Sequence, residues 1–225
     1  MTYLTFKQTL QAFPVFSVRE IEKHFPGFDN RRLVEWQEKG YIQKLRNRFY
    51  RFMDQEVDEA YLFYCANTIY APSYVSLESA LSIHGFIPEG VFQITSCTTL
   101  KTNRFDTPIA AFAYRNVKPA LFFGYQLRKW NARHYAIAGP EKTIIDYLYL
   151  HNEIESPADF ESLRWNKVEI SNRLCKEKLD AYLNYINSNA LKIRMNHLNS
   201  YLNADYLKRF KPSTRSRYGG SPGFC

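Results

Sequence analysis

The sequence predicts an α+β protein in two units, a small helical N-terminal unit closed by a hairpin and a larger mixed α/β unit ending in helices. Three observations predict it. Three helix-forming segments precede "GYIQKLRNRFYRF" at 40–52, a run dense in cations and rings. Residues 91–138 then break into short apolar runs separated by turn residues, the texture of strands. Finally, charge is segregated: residues 1–53 hold ten Lys+Arg against five Asp+Glu, 54–205 hold fifteen against seventeen, and 206–225 hold five against none.

The elements follow in order. Leu4, Phe6, Leu10 and Phe13 suit a short amphipathic helix over 4–12. In "FSVREIEKHFPGF", Ser17 and Glu20 stand at capping-box spacing, and Val18, Ile21 and Phe25 fall on one face before Pro26-Gly27 stops the helix. "FDNRRLVEWQEKG" repeats that grammar, with Asp29 as the expected N-cap, Leu33 and Trp36 inward and Gly40 at the end. Residues 41–45 and 49–52 are the expected strands of a hairpin that turns at Arg46-Asn47-Arg48. The acidic "DQEVDE" at 54–59 reads as a linker. Helices are expected over 60–70 and from a Ser76 cap to Gly85. Strands are expected in "VFQITSCTT", "IAAFAYRNV", "LFFGYQL" and "HYAIA". "GPEKTIIDYLYLH" starts a helix with Pro140 in its first turn, and 157–209 is helical. The Gly/Pro/Ser-rich 211–225 offers little to pack and is expected to be a disordered basic tail. The expected units are therefore 1–53, a linker at 54–59, 60–210, and the tail at 211–225.

Composition narrows the function. Seventeen Tyr and seventeen Phe point to an aromatic core. The absence of a long apolar run argues against a membrane span, and the start of the chain does not read as a secretory signal. Cys65, Cys97, Cys175 and Cys225 form no C-x-x-C pair and the five histidines are scattered, so neither a metal site nor a disulfide framework is expected. A reduced, cytoplasmic protein is the expectation.

Helix, helix, break, helix and two-stranded hairpin is the order of a winged helix-turn-helix. A basic unit of that kind on a neutral body suggests double-stranded DNA as the partner. In such a unit the N-terminal residues of the second helix of the pair meet base edges, which selects Asn30, Arg31 and Arg32. Arg pairs bidentately with guanine and Asn with adenine. Lys44, Arg46, Arg48 and Arg51 on the hairpin are then expected to neutralise phosphates. The rival reading of these residues is a solvated helix face with pairs such as Arg31–Glu35, or a winged helix that docks only proteins.

Four segments carry a more specific signal. "YVSLESALSIHGFIPE" (74–89), "ITSCTT" (94–99), "RFDTPIAAFAYRNVKPALFFGY" (104–125) and "AIAGPEKTIIDYLYL" (136–150), in that order, resemble the AbiEi family of antitoxins from type IV, abortive-infection toxin–antitoxin operons. The resemblance spans roughly 15–200. It implies an N-terminal winged helix that represses its own operon through the operator. It also implies a larger domain that counters a nucleotidyltransferase-like toxin without requiring a stable complex. Two features depart from the pattern: Asn47-Arg48 occupy a turn where family members commonly carry a small residue or glycine, and the basic tail has no counterpart. The alternative is a winged-helix regulator, unrelated to a toxin, whose second domain senses a ligand or recruits a protein.

Enzymatic readings are weaker. Ser76, Glu78, Ser79 and His84 lie close together, but no G-x-S-x-G elbow surrounds either serine. Glu141, Lys142 and Asp146 resemble the carboxylate–lysine sets of metal nucleases, yet helix position and local bonding account for them. No phosphate-binding glycine motif is present. No catalytic residue, cofactor or metal is expected.

Overall fold

In a computed structural model, residues 1–209 are described. The expected basic tail at 211–225, and Phe210 at the end of the second unit, lie outside the described residues. The chain is α+β throughout.

Helices α1 (Tyr3–Leu10), α2 (Val18–His24) and α3 (Arg31–Glu38) surround a three-stranded antiparallel sheet. Its strands are β1 (Phe16–Ser17), β2 (Ile42–Arg46) and β3 (Phe49–Phe52), in the order β1-β3-β2. The two-residue β1 is too short to show periodicity and was not expected. The Ser17–Glu20 capping box forms, with Glu20 N donating to Ser17 Oγ at 3.2 Å and Ser17 N to Glu20 Oε2 at 2.7 Å. Gly40 ends α3 with φ +69°, in the left-handed region that glycine enters without Cβ strain. Phe6 is the hub of the small core, with ring centroids of Phe16, Phe25, Phe28, Trp36 and Phe52 within 4.6–6.1 Å.

The expected Asp29 cap takes a different form. Asn30 holds the N-cap position without a side-chain bond, and Asp29 Oδ1 accepts from Arg31 N at 3.0 Å, turning the chain just before the helix.

The larger unit opens with α4 (Glu59–Ile69), whose cap is Asp58 Oδ1 on Tyr61 N at 2.6 Å. A six-stranded mixed sheet follows, in the order β6-β7-β5-β4-β9-β8. Its strands are β4 (Ser73–Val75), β5 (Gln93–Thr98), β6 (Asn103–Asp106), β7 (Ala111–Asn116), β8 (Tyr125–Trp130) and β9 (Arg133–Ala138). β4 and β6 are short and were not separately expected. The β4–β9 and β5–β7 pairs are parallel and the remaining pairs antiparallel. Helix α5 (Leu77–Ile83) follows β4 directly, through Leu77 at φ +56°. Helices α6 (Pro140–Leu150), α7 (Asp159–Ser162), α8 (Lys167–Arg173), α9 (Lys176–Ile186) and α10 (Asn189–Arg209) complete the unit. No helix among the described residues is long and apolar enough to cross a membrane.

The two units pack directly on one another. Val15 and Leu45 of the N-terminal unit are buried within the larger core. Tyr61 OH donates to Pro14 O at 3.2 Å, Arg133 Nε donates to Ala12 O at 3.1 Å, and the Arg133 guanidinium lies 4.9 Å from the Phe13 ring centroid. The acidic connection joins in, with Asp54 paired to Lys7 at 2.5 Å and Asp58 accepting from Trp130 Nε1 at 3.4 Å.

Candidate functional site

The exposed N-terminal face gathers candidate contacts around a groove of about 350 Å³ between α2, α3 and the hairpin turn. Asn30, Leu33 and Val34 line it from α3, Val18 and Glu22 from α2, and Asn47, Arg48 and Tyr50 from the hairpin. The walls follow from the packing. Leu33 and Tyr50 are core residues whose edges form the floor, while Asn30, Val34 and Arg48 are exposed at the rim.

The seven residues selected from sequence do not share one surface. Asn30 and Arg48 come together at the groove. Arg31 stands beside it with its side chain 92% exposed, its Nε donating to Asp29 Oδ1 at 3.0 Å. Those hydrogen bonds from Arg31 hold the Asp29 carboxyl below its ordinary range. Lys44 is exposed on β2. Arg32 is half-buried, and its Nη1 donates to Met1 O at 2.6 Å, tying α3 to the start of the chain.

Arg46 and Arg51 are corrections. Both were expected to face phosphates, and both turn inward. Arg51 is 4% exposed; Nε donates to Phe52 O at 3.2 Å and Nη2 to Met53 O and Gln55 O at 3.1 and 3.0 Å. Three carbonyl dipoles offset part of the buried charge, Nη1 being buried without a hydrogen-bond partner, and the guanidinium clamps the chain as it leaves β3. Arg46 Nη1 donates to Ile69 O at 2.8 Å, and its guanidinium lies 4.3 Å from the Phe105 ring centroid. The cause is a register shift between Lys44 and Arg46, which breaks the simple alternation of faces along β2.

Arg48 adopts φ +69°, the conformation for which a glycine would be the unstrained choice. Its carbonyl accepts from Val18 N at 3.0 Å, so the turn is stitched to the start of α2. Sequence reasoning missed Val34 and Glu22. Val34 is 56% exposed although apolar, and its place off the Leu33–Trp36 stripe was the available signal. Glu22 had no comparable mark.

In the larger unit, the residues weighed as a possible enzyme site are enclosed except Glu78, whose side chain is 38% exposed. Tyr74 OH and Ser76 Oγ each donate to Asp146 Oδ2 at 2.8 Å, and Lys142 Nζ binds Asp146 Oδ1. Lys142 is fully buried and Asp146 is 1% exposed. Ser76 holds the expected N-cap position of α5 but makes no side-chain cap bond, since its hydroxyl ties the end of β4 to α6. Glu141 Oε1 accepts from Cys175 N at 3.0 Å, and Lys178 Nζ lies 2.8 Å from Oε2. Burial by itself raises the Glu141 pKa, but Lys178 and backbone amides more than offset it and the carboxyl sits below its ordinary value. His84 Nε2 lies 2.9 Å from Ala138 O, and burial lowers its pKa. Each group is satisfied by its neighbours, and the cluster acts as polar bracing between the sheet and α6. Among the described residues, no group of His, Cys, Asp and Glu is placed to hold a metal.

No protein-family model matches this sequence, and no curated protein sequence does. A solved structure does: the RV2827C protein from Mycobacterium tuberculosis, at 14% identity and a TM-score of 0.52. The alignment covers 86% of this chain and 75% of that one. The likeness is one of fold. It extends over most of both chains.

Proposed function

We propose that this chain is a DNA-binding antitoxin: its N-terminal unit is a winged helix that represses its own operon, and its larger unit counters a nucleotidyltransferase-like toxin. One observation carries the DNA-binding part, the exposed groove that brings Asn30, Val34 and Arg48 together beside the exposed Arg31, itself paired with Asp29. These types match what base edges offer. Asn pairs with adenine, an apolar side chain meets the thymine methyl, and Arg released from Asp29 pairs with guanine. Glu22 in the same groove disfavours a phosphate there and leaves room for a cytosine amino group. Arg48 and Lys44 supply backbone contacts, in a unit whose net charge favours DNA and which acts in the cytoplasm. The toxin-countering part rests on the four-segment resemblance to the AbiEi family.

The test is binding of the full chain to DNA from upstream of its own gene, against a shuffled duplex, over a range of salt. Preference for the upstream DNA is expected. Arg31→Ala should reduce that preference about tenfold, and Lys44→Ala and Arg48→Ala should each lower the salt slope by about one. Equal affinity for both duplexes rules the reading out. For the second part, co-expression with a nucleotidyltransferase-like protein encoded beside it should restore growth.

A second reading is favoured by Phe92, which is fully exposed beside a groove of about 470 Å³ that includes Leu77, Ile87 and Val91. It is a winged-helix regulator whose larger unit recruits a protein or senses a ligand. DNA binding without protection from any such toxin would select it.

A further inference from the structure

The hairpin belongs to two cores at once. Ile42, Tyr50 and Phe52 are buried with the helices of the N-terminal unit, whereas Leu45 is buried in the larger core and Phe49 packs against it. Arg46 sits at that junction. Its guanidinium carbon lies 4.3 Å from the Phe105 centroid, 5.2 Å from Phe49 and 5.9 Å from Tyr70, and Nη1 reaches Ile69 O. Phe105 is on the edge strand β6, and Tyr70 follows the last residue of α4. The receiving surface is itself held. Tyr70 OH donates to Lys101 O at 2.8 Å, and its ring lies 5.5 Å from Phe105 and 4.8 Å from Tyr114.

We propose that Arg46 is a positioning residue that locks the hairpin tip to the β6 edge of the larger unit, so that the place of Arg48 beside α3 is set by the larger unit as well as by residues 1–53. A guanidinium suits this role. Its planar face stacks on rings while its edge donates to a carbonyl, which the point charge of a lysine does not reproduce. Around the turn, Val18 N on Arg48 O and the short β1–β3 pairing tie the chain to the N-terminal unit, while Leu45 and Phe49 lean on the larger core. Arg46 adds to these apolar contacts the directional hold at the tip, a stack on Phe105 and a hydrogen bond to Ile69 O. The consequence for DNA rests on the proposed DNA-binding reading, but the anchoring does not.

The experiment uses the full chain and two measurements. Amide hydrogen exchange over residues 42–52 reads the lock without reference to DNA. Arg46→Ala should raise exchange there about three- to tenfold, the size expected from losing a partly desolvated stack and its hydrogen bond, while α1 and α3 stay protected. Phe105→Leu, which keeps apolar volume but removes the ring, should produce the same change, and Arg46→Lys should not restore protection. Unchanged exchange in Arg46→Ala, or full restoration by Arg46→Lys, overturns the proposal. In the DNA measurement, Arg46→Ala and Phe105→Leu should both weaken binding with the salt slope unchanged. A slope lowered by about one in Arg46→Ala only, rescued by lysine, makes Arg46 a phosphate contact and also overturns it. If the wild-type chain shows no DNA preference, the DNA-binding reading fails while the exchange result still decides the lock.

Discussion

The two units treat charge in opposite ways. In the N-terminal unit the Asp29–Arg31 pair stands in solvent at the mouth of a groove, where water and salt screen it and either partner is free to leave. In the larger unit the Lys142–Asp146 pair is sealed, with Tyr74 and Ser76 occupying the second carboxylate oxygen. An exposed pair suits exchange with a ligand, because the cost of parting it is small. A buried pair suits bracing, because parting it strands a charge away from water. That difference makes the N-terminal face the candidate binding surface and the carboxylate–lysine cluster a structural element.

The largest test of the contrast is Asp146→Ala. It leaves the Lys142 ammonium buried without its partner, so a loss of about 3–5 kcal/mol is expected in urea unfolding. Asp29→Asn, which keeps an oxygen to accept from Arg31 N but removes the charge, should leave the unfolding midpoint nearly in place while changing DNA preference. A small loss at Asp146 would break the comparison.

A smaller effect is expected at Gly124, which has φ +73° and stands where a Cβ would come 3.1–3.2 Å from the Lys142 stem. Gly124→Ala should cost about 1–3 kcal/mol, since both the backbone and the packing over Lys142 resist it. Thermal unfolding of the variant checks this.

Arg48→Gly sharpens the comparison from the other side. Removing the left-handed arginine should raise stability by about 0.5–1 kcal/mol, net of the chain entropy that glycine adds. The same change should weaken DNA binding and lower the salt slope by about one. A variant that gains stability and loses DNA affinity would show strain held at a binding residue.

The mildest effect is a pH slope. Glu141 titrates below its ordinary value of 4.5 in the folded chain, so its stabilising contribution is complete above that value and is lost as pH falls through the lower, folded one. Glu141→Gln should flatten the acid limb of the stability profile in that window, measured by denaturant unfolding at successive pH values.

Much of the local structure was legible because it rests on neighbours in the chain. The Ser17–Glu20 box, the stop at Gly40 and the Pro140 start of α6 each depend on residues within a single turn, as does the Leu33–Trp36 face of α3. The candidate site was legible only in part. Asn30 and Arg48 lie far apart in sequence yet line one groove, and their residue types suggested a shared role without placing them together. Arg46 and Arg51 were misread because cations in a hairpin look alike until the partners of each face are known.

By itself the sequence determined the α+β class, the succession of most elements, an aromatic-rich core and the segregation of basic charge to the N-terminal unit. Short-range sterics, capping bonds and side-chain polarity settle these without distant contacts. Only the tertiary structure decided which charges are available. The register shift in β2 turns Arg46 toward Phe105, three carbonyls take Arg51, Met1 takes Arg32, and a carboxylate on α6 takes the Ser76 hydroxyl from its expected cap bond. Whether a cation meets solvent or a carbonyl depends on which remote segment packs against it, and the pattern of neighbouring residues does not contain that information.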